Sequence, residues 1–148
     1  WPESYFAAPL FAEKVGPVCR PDKVSRWFTA NAPGPELAAG AEYLHTRTRP
    51  DAWQAWARAA GQPAVGPGGQ SFDHFYFSLQ AAVAGLGVAI GSWYQVCDDL
   101  ENGVLSAPLG FAEDGSRYYL LSPEPFEPGS LQADLLIWLR TLNEPLKV

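Results

Sequence analysis

Residues 70–90 read QSFDHFYFSLQAAVAGLGVAI, and this stretch decides the fold class. A short extended run ends at Phe72. Asp73 follows as a helix N-cap, a residue type whose carboxylate accepts from the unpaired amides of a first turn. Phe75, Leu79, Ala82, Val83 and Leu86 then share one side of a helix, the stripe that a core would cover. Gly85 and Gly87 close that helix, and Val88-Ala89-Ile90 reads as a short buried strand. Strand, helix and strand in so short a span make the repeating unit of an α/β fold.

The alternation continues in both directions. Upstream, Glu42 to Thr48 predicts a short strand with Tyr43 and Leu44, and Pro50-Asp51 opens a helix. Proline is pre-set for a first helical turn, and an acid there suits the positive end of the helix dipole. Trp53, Trp56, Ala57 and Ala60 keep helical spacing until Gly61 stops it, and a Pro/Gly-rich loop runs on to Gly69. Downstream, Trp93, Val96, Cys97 and Leu100 share a helix face with Gly103 past its end. Strands at about 104–109 and 117–122 lead to a last helix with the stripe Leu131, Leu135, Trp138, Leu139 and Leu142, capped by Ser130. At the start of the chain, Ser4 to Phe11 and Lys14 to Arg20 read as extended segments divided by a polar Ala12-Glu13 turn. Residues 21–40 are broken by Pro21, Pro33, Gly34, Pro35 and Gly40, so a loop with a short helix at most is expected there. The whole pattern is α/β with a largely parallel or mixed sheet.

A chain of 148 residues and 16.1 kDa makes one domain, or two small lobes sharing a hinge, and is long enough to fold without a staple. Its net charge of −6 makes nucleic acid and anionic membrane surfaces poor partners. The charge is uneven: residues 1–74 balance, so Arg20, Arg26, Arg47, Arg49 and Arg58 are the natural attractors for an anion. Cys19 and Cys97 form no CxxC pair; two free thiols in a reducing compartment are expected, with a bridge as the lesser alternative. Neither an apolar run of membrane-spanning length nor a signal peptide is visible, which points to the cytoplasm. The chain opens at Trp1 and contains no Met, as a processed or truncated piece would.

Catalytic motifs do not accumulate. Gly-x-Ser-x-Gly, the P-loop and Gly-x-Gly-x-x-Gly before a helix are all missing. His45 and His74 make no zinc spacing with either cysteine, and Asp98, Asp99 and Glu101 do not converge on one helix face. No enzyme activity, cofactor or metal is expected. Binding is the better reading, because open α/β sheets hold ligands beyond strand carboxyl ends, where helix N-termini present unpaired amides. Two such junctions occur, Thr46-Arg47-Thr48-Arg49-Pro50 and Phe72-Asp73-His74-Phe75. The plainer alternative is that Thr48 and Asp73 only cap their helices.

These residues also carry a resemblance. Phe72-Asp73-His74-Phe75, the run Gln80 to Ile90, Asp99-Leu100-Glu101-Asn102-Gly103-Val104-Leu105 and Pro108 resemble the effector-binding domain of LysR-type transcriptional regulators. Pro9-Leu10-Phe11, Pro17-Val18-Cys19-Arg20-Pro21, Leu44-His45, Arg49-Pro50-Asp51-Ala52-Trp53, Tyr118-Tyr119-Leu120 and Trp138-Leu139 fit as well. More narrowly, the chain is similar to the branch containing the glycine-cleavage activator and the β-lactamase inducer. Trp93 departs from the pattern, standing where a small residue or proline often follows the short strand.

The resemblance implies a type II periplasmic-binding-protein-like fold, with the second subdomain complete and the first only partly present. Residues 1–21 would end the first subdomain and make the first hinge crossing; 22–115 would be the second α/β subdomain. Residues 116–148 would make the return crossing and the C-terminal helix. A small-molecule effector would sit in an interlobe cleft walled by Thr46, Thr48, Asp73, His74, Phe75 and Tyr118. The full-length regulator would be a homo-oligomer, with residues 73–84 at its interface, and would reach DNA through a winged helix-turn-helix absent from these residues. No contact with membranes is implied. The alternative on the same fold is a stand-alone solute-binding protein or a small enzyme.

Overall fold

The structure is a computed structural model that describes residues 1–31 and 33–142. The chain divides into two compact units, Lys14–Asp114 and, smaller, Trp1–Glu13 together with Gly115 onward. In chain order the strands are β1 (Phe6–Val18), β2 (Phe28–Asn31), β3 (Gly34–Leu37), β4 (Tyr43–Thr46), β5 (Gln70–Phe72), β6 (Val88–Ser92) and β7 (Ala112–Ser122). The helices are α1 (Val24–Trp27), α2 (Ala52–Ala60), α3 (Phe75–Val83), α4 (Trp93–Glu101) and α5 (Leu131–Thr141). The main sheet runs β5-β4-β6-β1-β7, and β2 and β3 form a separate hairpin.

In the larger unit β6 is the centre, and all five of its residues are buried. Successive strand side chains point to opposite faces, so this short apolar strand feeds two cores at once. Val88 and Ile90 join Val15, Trp27, Trp53 and Trp56 on one side, where α2 lies. Ala89 joins Val18, Leu79, Ala82 and Val96 on the other, where α3 and α4 lie. The parallel register sets Leu44 of β4 opposite both Gln70 of β5 and Ala89 of β6, while β1 runs antiparallel to β6. The carboxyl ends of β4, β5 and β6 therefore meet at one edge of the sheet. Gly61 ends α2 with φ +63°, a left-handed conformation that glycine adopts without steric cost. Arg20 pairs with Asp22 and donates to the Ala84 carbonyl at 3.1 Å, which fastens the end of α3.

Four local expectations are corrected. No turn at Ala12-Glu13 divides the two extended segments: β1 is one thirteen-residue strand, and Glu13 is 3% exposed with its carboxylate accepting from the Tyr118 hydroxyl at 2.6 Å. An inward-facing partner has removed the reason for a polar turn. Residues 28–31 pair with 34–37 as two antiparallel strands rather than a loop, with Phe28 opposite Leu37. No strand covers 104–109, where only Ser106 bridges to Cys19, and β7 begins instead at Ala112. Finally, α3 starts after His74, not Asp73, and no side chain caps it. Gly85, at φ +81°, then turns the chain so that Leu86 is left exposed.

The smaller unit contains the first part of β1, most of β7 and α5. Ser130 caps α5, its hydroxyl accepting from the Ala133 amide at 3.2 Å. Arg140 donates twice to the Pro9 carbonyl, at 2.7 and 3.2 Å, and so fixes α5 to the β1 segment. Ala133 is the buried residue of the helix; Leu131, Leu135, Ile137, Trp138 and Leu142 are exposed.

Candidate functional site

The end of β4 is shaped by Thr46. Its side chain is buried, and its hydroxyl accepts from the Arg49 amide at 3.3 Å, bending the chain away from the sheet before α2. The ladder continues one step further, with the Arg47 amide donating to the Phe72 carbonyl at 2.9 Å, so the ends of β4 and β5 stay together. Thr48, Asp73 and His74 are exposed beside them, and Phe75 is half-buried. Arg47 reaches across to Asp73 at 3.0 Å, an ion pair in open solvent that stabilises little but sets both signs of charge side by side. Arg49 lies over the Phe75 ring, 5.2 Å from its centroid. The His74 ring is 5.9 Å from that of Phe77.

Five of the expected site residues, Thr46, Thr48, Asp73, His74 and Phe75, are thus gathered at one sheet edge. Tyr118 belongs to the smaller unit. There its hydroxyl is held by Glu13, and its ring lies 4.9 Å from that of Phe11. Asp73 and Thr48 are not caps: α2 begins after Asp51 and α3 after His74. The hollow beneath the edge, between Thr46, Arg49, Phe75 and Ser78, has a volume of only about 10 Å³, room for a water. A ligand here lies on the edge rather than inside the unit.

Reading the sequence junction by junction named Arg47 and Arg49 as weaker members of the first junction, and missed Ser78 and a third junction. Ser78 donates to the Phe75 carbonyl at 2.8 Å and firms the first turn of α3. The third junction is β6 to α4, where half-exposed Trp93 packs edge to face on Tyr94 with centroids 5.1 Å apart. Its signal was present, since a buried strand at 88–90 runs directly into a helix; only the parallel pairing of β6 with β4 puts it on the same edge. Among the described residues, no group of three or more His, Cys, Asp and Glu could hold a metal ion, and no helix is long and apolar enough to cross a membrane.

A family model described as the LysR substrate binding domain matches residues 1–143. The HTH-type transcriptional regulator TrpI of Pseudomonas aeruginosa is 44% identical over 124 residues, which cover 83% of this chain and 42% of the regulator. The chain thus spans less than half the length of that relative. Among solved structures, the effector domain of AmpR from Pseudomonas aeruginosa superposes with a TM-score of 0.67 at 22% identity, covering 96% of this chain and 67% of that one. The AmpR effector-binding domain from Citrobacter freundii gives 0.68 at 21% identity, covering 96% and 69%. The regulatory domain of CrgA from Neisseria meningitidis gives 0.61 at 18%, covering 95% and 69%. At these identities the likeness shows the fold.

Proposed function

The chain belongs to the LysR substrate-binding-domain family, with its type II periplasmic-binding-protein-like fold, and from this membership we infer how it senses its effector. It is the sensing domain of a transcriptional regulator, and it binds a small polar metabolite at the edge where β4 and β5 end. Thr48 and His74 offer hydrogen bonds from the surface, Asp73 and Arg47 offer one charge of each sign, and Phe75 supplies apolar contact. Thr46 acts through the backbone, holding the turn that presents Thr48 and Arg49. The observation that carries this reading is the parallel β4–β5 ladder, which brings two separate sequence junctions to one place. Tyr118 as a further ligand contact is carried by the resemblance alone.

The domain works by binding and not by catalysis, and the cytoplasm, where the DNA is, is its compartment. Residues 22–115 are read as its second subdomain. Its effector must bind two states of the regulator with different affinity, since equal affinity would shift nothing. The full-length regulator is homo-oligomeric, with the exposed α3 face of Tyr76, Gln80 and Ala84 at its interface. DNA is reached through a winged helix-turn-helix elsewhere in that protein.

A thermal-shift screen of this chain against amino acids, sugar phosphates and aromatic acids tests the site. A compound that raises the melting temperature should bind T48V and H74A about tenfold more weakly, the effect of one lost hydrogen bond. Y118F is the third arm. Unchanged affinity in T48V and H74A would move the site away from this edge.

A further inference from the structure

Away from the strand ends, the larger unit holds a hollow of about 150 Å³ between the β2–β3 hairpin, the start of β4 and the loop after α2. Leu37, Tyr43, Trp56 and Val65 give it apolar and aromatic walls. Glu36 and Gln62 line it too, and they also line the open depression next to it, which places them at its mouth. A cavity on the order of 150 Å³ with apolar walls accommodates one benzene-sized ring.

The polar groups decide what such a ring would carry. Glu36 is exposed and its carboxylate has no ion pair or hydrogen bond among the described residues, and no Lys, Arg or His lines the hollow. A carboxylate ligand would meet that acid with nothing to offset it. A primary ammonium would instead donate to Glu36 and to the Gln62 amide oxygen. Tyr43 and Trp56 would give the ring of such a ligand aromatic contact. Trp56 has an indole N–H that is buried without a partner among the described residues, a reporter on this wall of the hollow. We propose that this hollow binds a small primary amine with a compact apolar body, of about the size of benzylamine. Tyr43 opens the strand that ends at Thr46, so an occupant bears on the strand that presents the effector edge. The proposal does not depend on the effector reading.

Titration of the ¹⁵N-labelled chain with benzylamine, benzyl alcohol and benzoate, followed by NMR, tests it. Benzylamine should give saturable shifts at the Trp56 indole N–H and at residues 36–37, 43 and 62–65. Benzyl alcohol should bind about fivefold more weakly, the worth of one exposed charge pair, and benzoate should not bind. Ala64 is exposed and lines the hollow, so A64W fills it without disturbing the core and should abolish the shifts. E36Q should bring benzylamine down to the affinity of the alcohol. The absence of saturable shifts, equal binding of benzoate, or undiminished binding in A64W would overturn the assignment.

Discussion

The core tryptophans of the larger unit and the tryptophans of the smaller unit lead different lives, with half-exposed Trp93 of the larger unit between them. In the larger unit Trp53 and Trp56 are 3% and 1% exposed, edge to face at 5.8 Å, and Trp53 donates its indole N–H to the Leu44 carbonyl at 3.0 Å. In the smaller unit Trp1 and Trp138 are 67% and 56% exposed. The larger unit is held by burial on both faces of β6, where dense packing makes each lost methylene felt. The smaller unit is held by directed contacts: the Tyr118–Glu13 hydrogen bond, the clasp of Arg140 on Pro9 and the Ser130 cap. One amino-acid type therefore reports opposite energetics, because what matters is the apolar area removed from water and not the residue itself.

The sharpest way to break this comparison is Trp53→Ala. It should cost about 3–5 kcal/mol in urea unfolding, through the cavity it leaves and the loss of the bond to Leu44. A cost under about 1 kcal/mol would show that the larger unit is not packed as described.

The Cys19 thiol gives a second, pH-dependent probe of the same core. Burial, with a smaller contribution from the Asp22 charge, pushes its pKa up to about 11 from an ordinary 9.0. The neutral thiol is the form that the folded state favours, so its contribution is complete below pH 9 and is lost as the pH climbs towards 11. Stability should fall over that interval, and the fall should lessen in C19A. Iodoacetamide at pH 8 should label Cys97, which is only partly buried, well before Cys19. Rapid Cys19 labelling would mean that the larger unit opens readily.

Ser130→Ala should remove about 1 kcal/mol from α5, seen as faster amide hydrogen exchange in residues 131–142. If protection in Lys14–Asp114 fell equally, the two units would unfold as one and the contrast would lose its meaning. The smallest effect is expected for Trp138→Ala, within about 0.5 kcal/mol, as for an exposed side chain. A loss comparable to that of Trp53→Ala would refute the comparison outright.

How far the sequence could be read depended on whether the deciding partner was local. The helix at Trp53 was legible because Pro50, the apolar spacing and Gly61 all lie within a few residues of one another. The Ser130 cap was legible for the same reason, its partner Ala133 being three residues away. Asp73 misled because α3 begins only after His74, and its carboxylate lies instead beside Arg47, twenty-six positions upstream, which no local rule can see. Glu13 misled likewise: as a polar residue it suggested a turn, and Tyr118, from a strand more than a hundred residues later, lets it stay buried in a continuous strand. The candidate site was half legible. Both junctions stood out as strand-to-helix transitions, whereas the third junction at Trp93 and the stacking of Arg49 on Phe75 emerged only from strand order.

By itself, then, the sequence determined the α/β alternation, the apolar faces of its helices and the family to which those motifs point, because periodicity, caps and glycine stops act over one or two turns of chain. Only the tertiary structure decided which strands are neighbours, and so which junctions share an edge, which tryptophans are covered and which acids find a partner. Those outcomes depend on contacts between residues far apart in sequence, and their energies do not exist until the sheet has assembled.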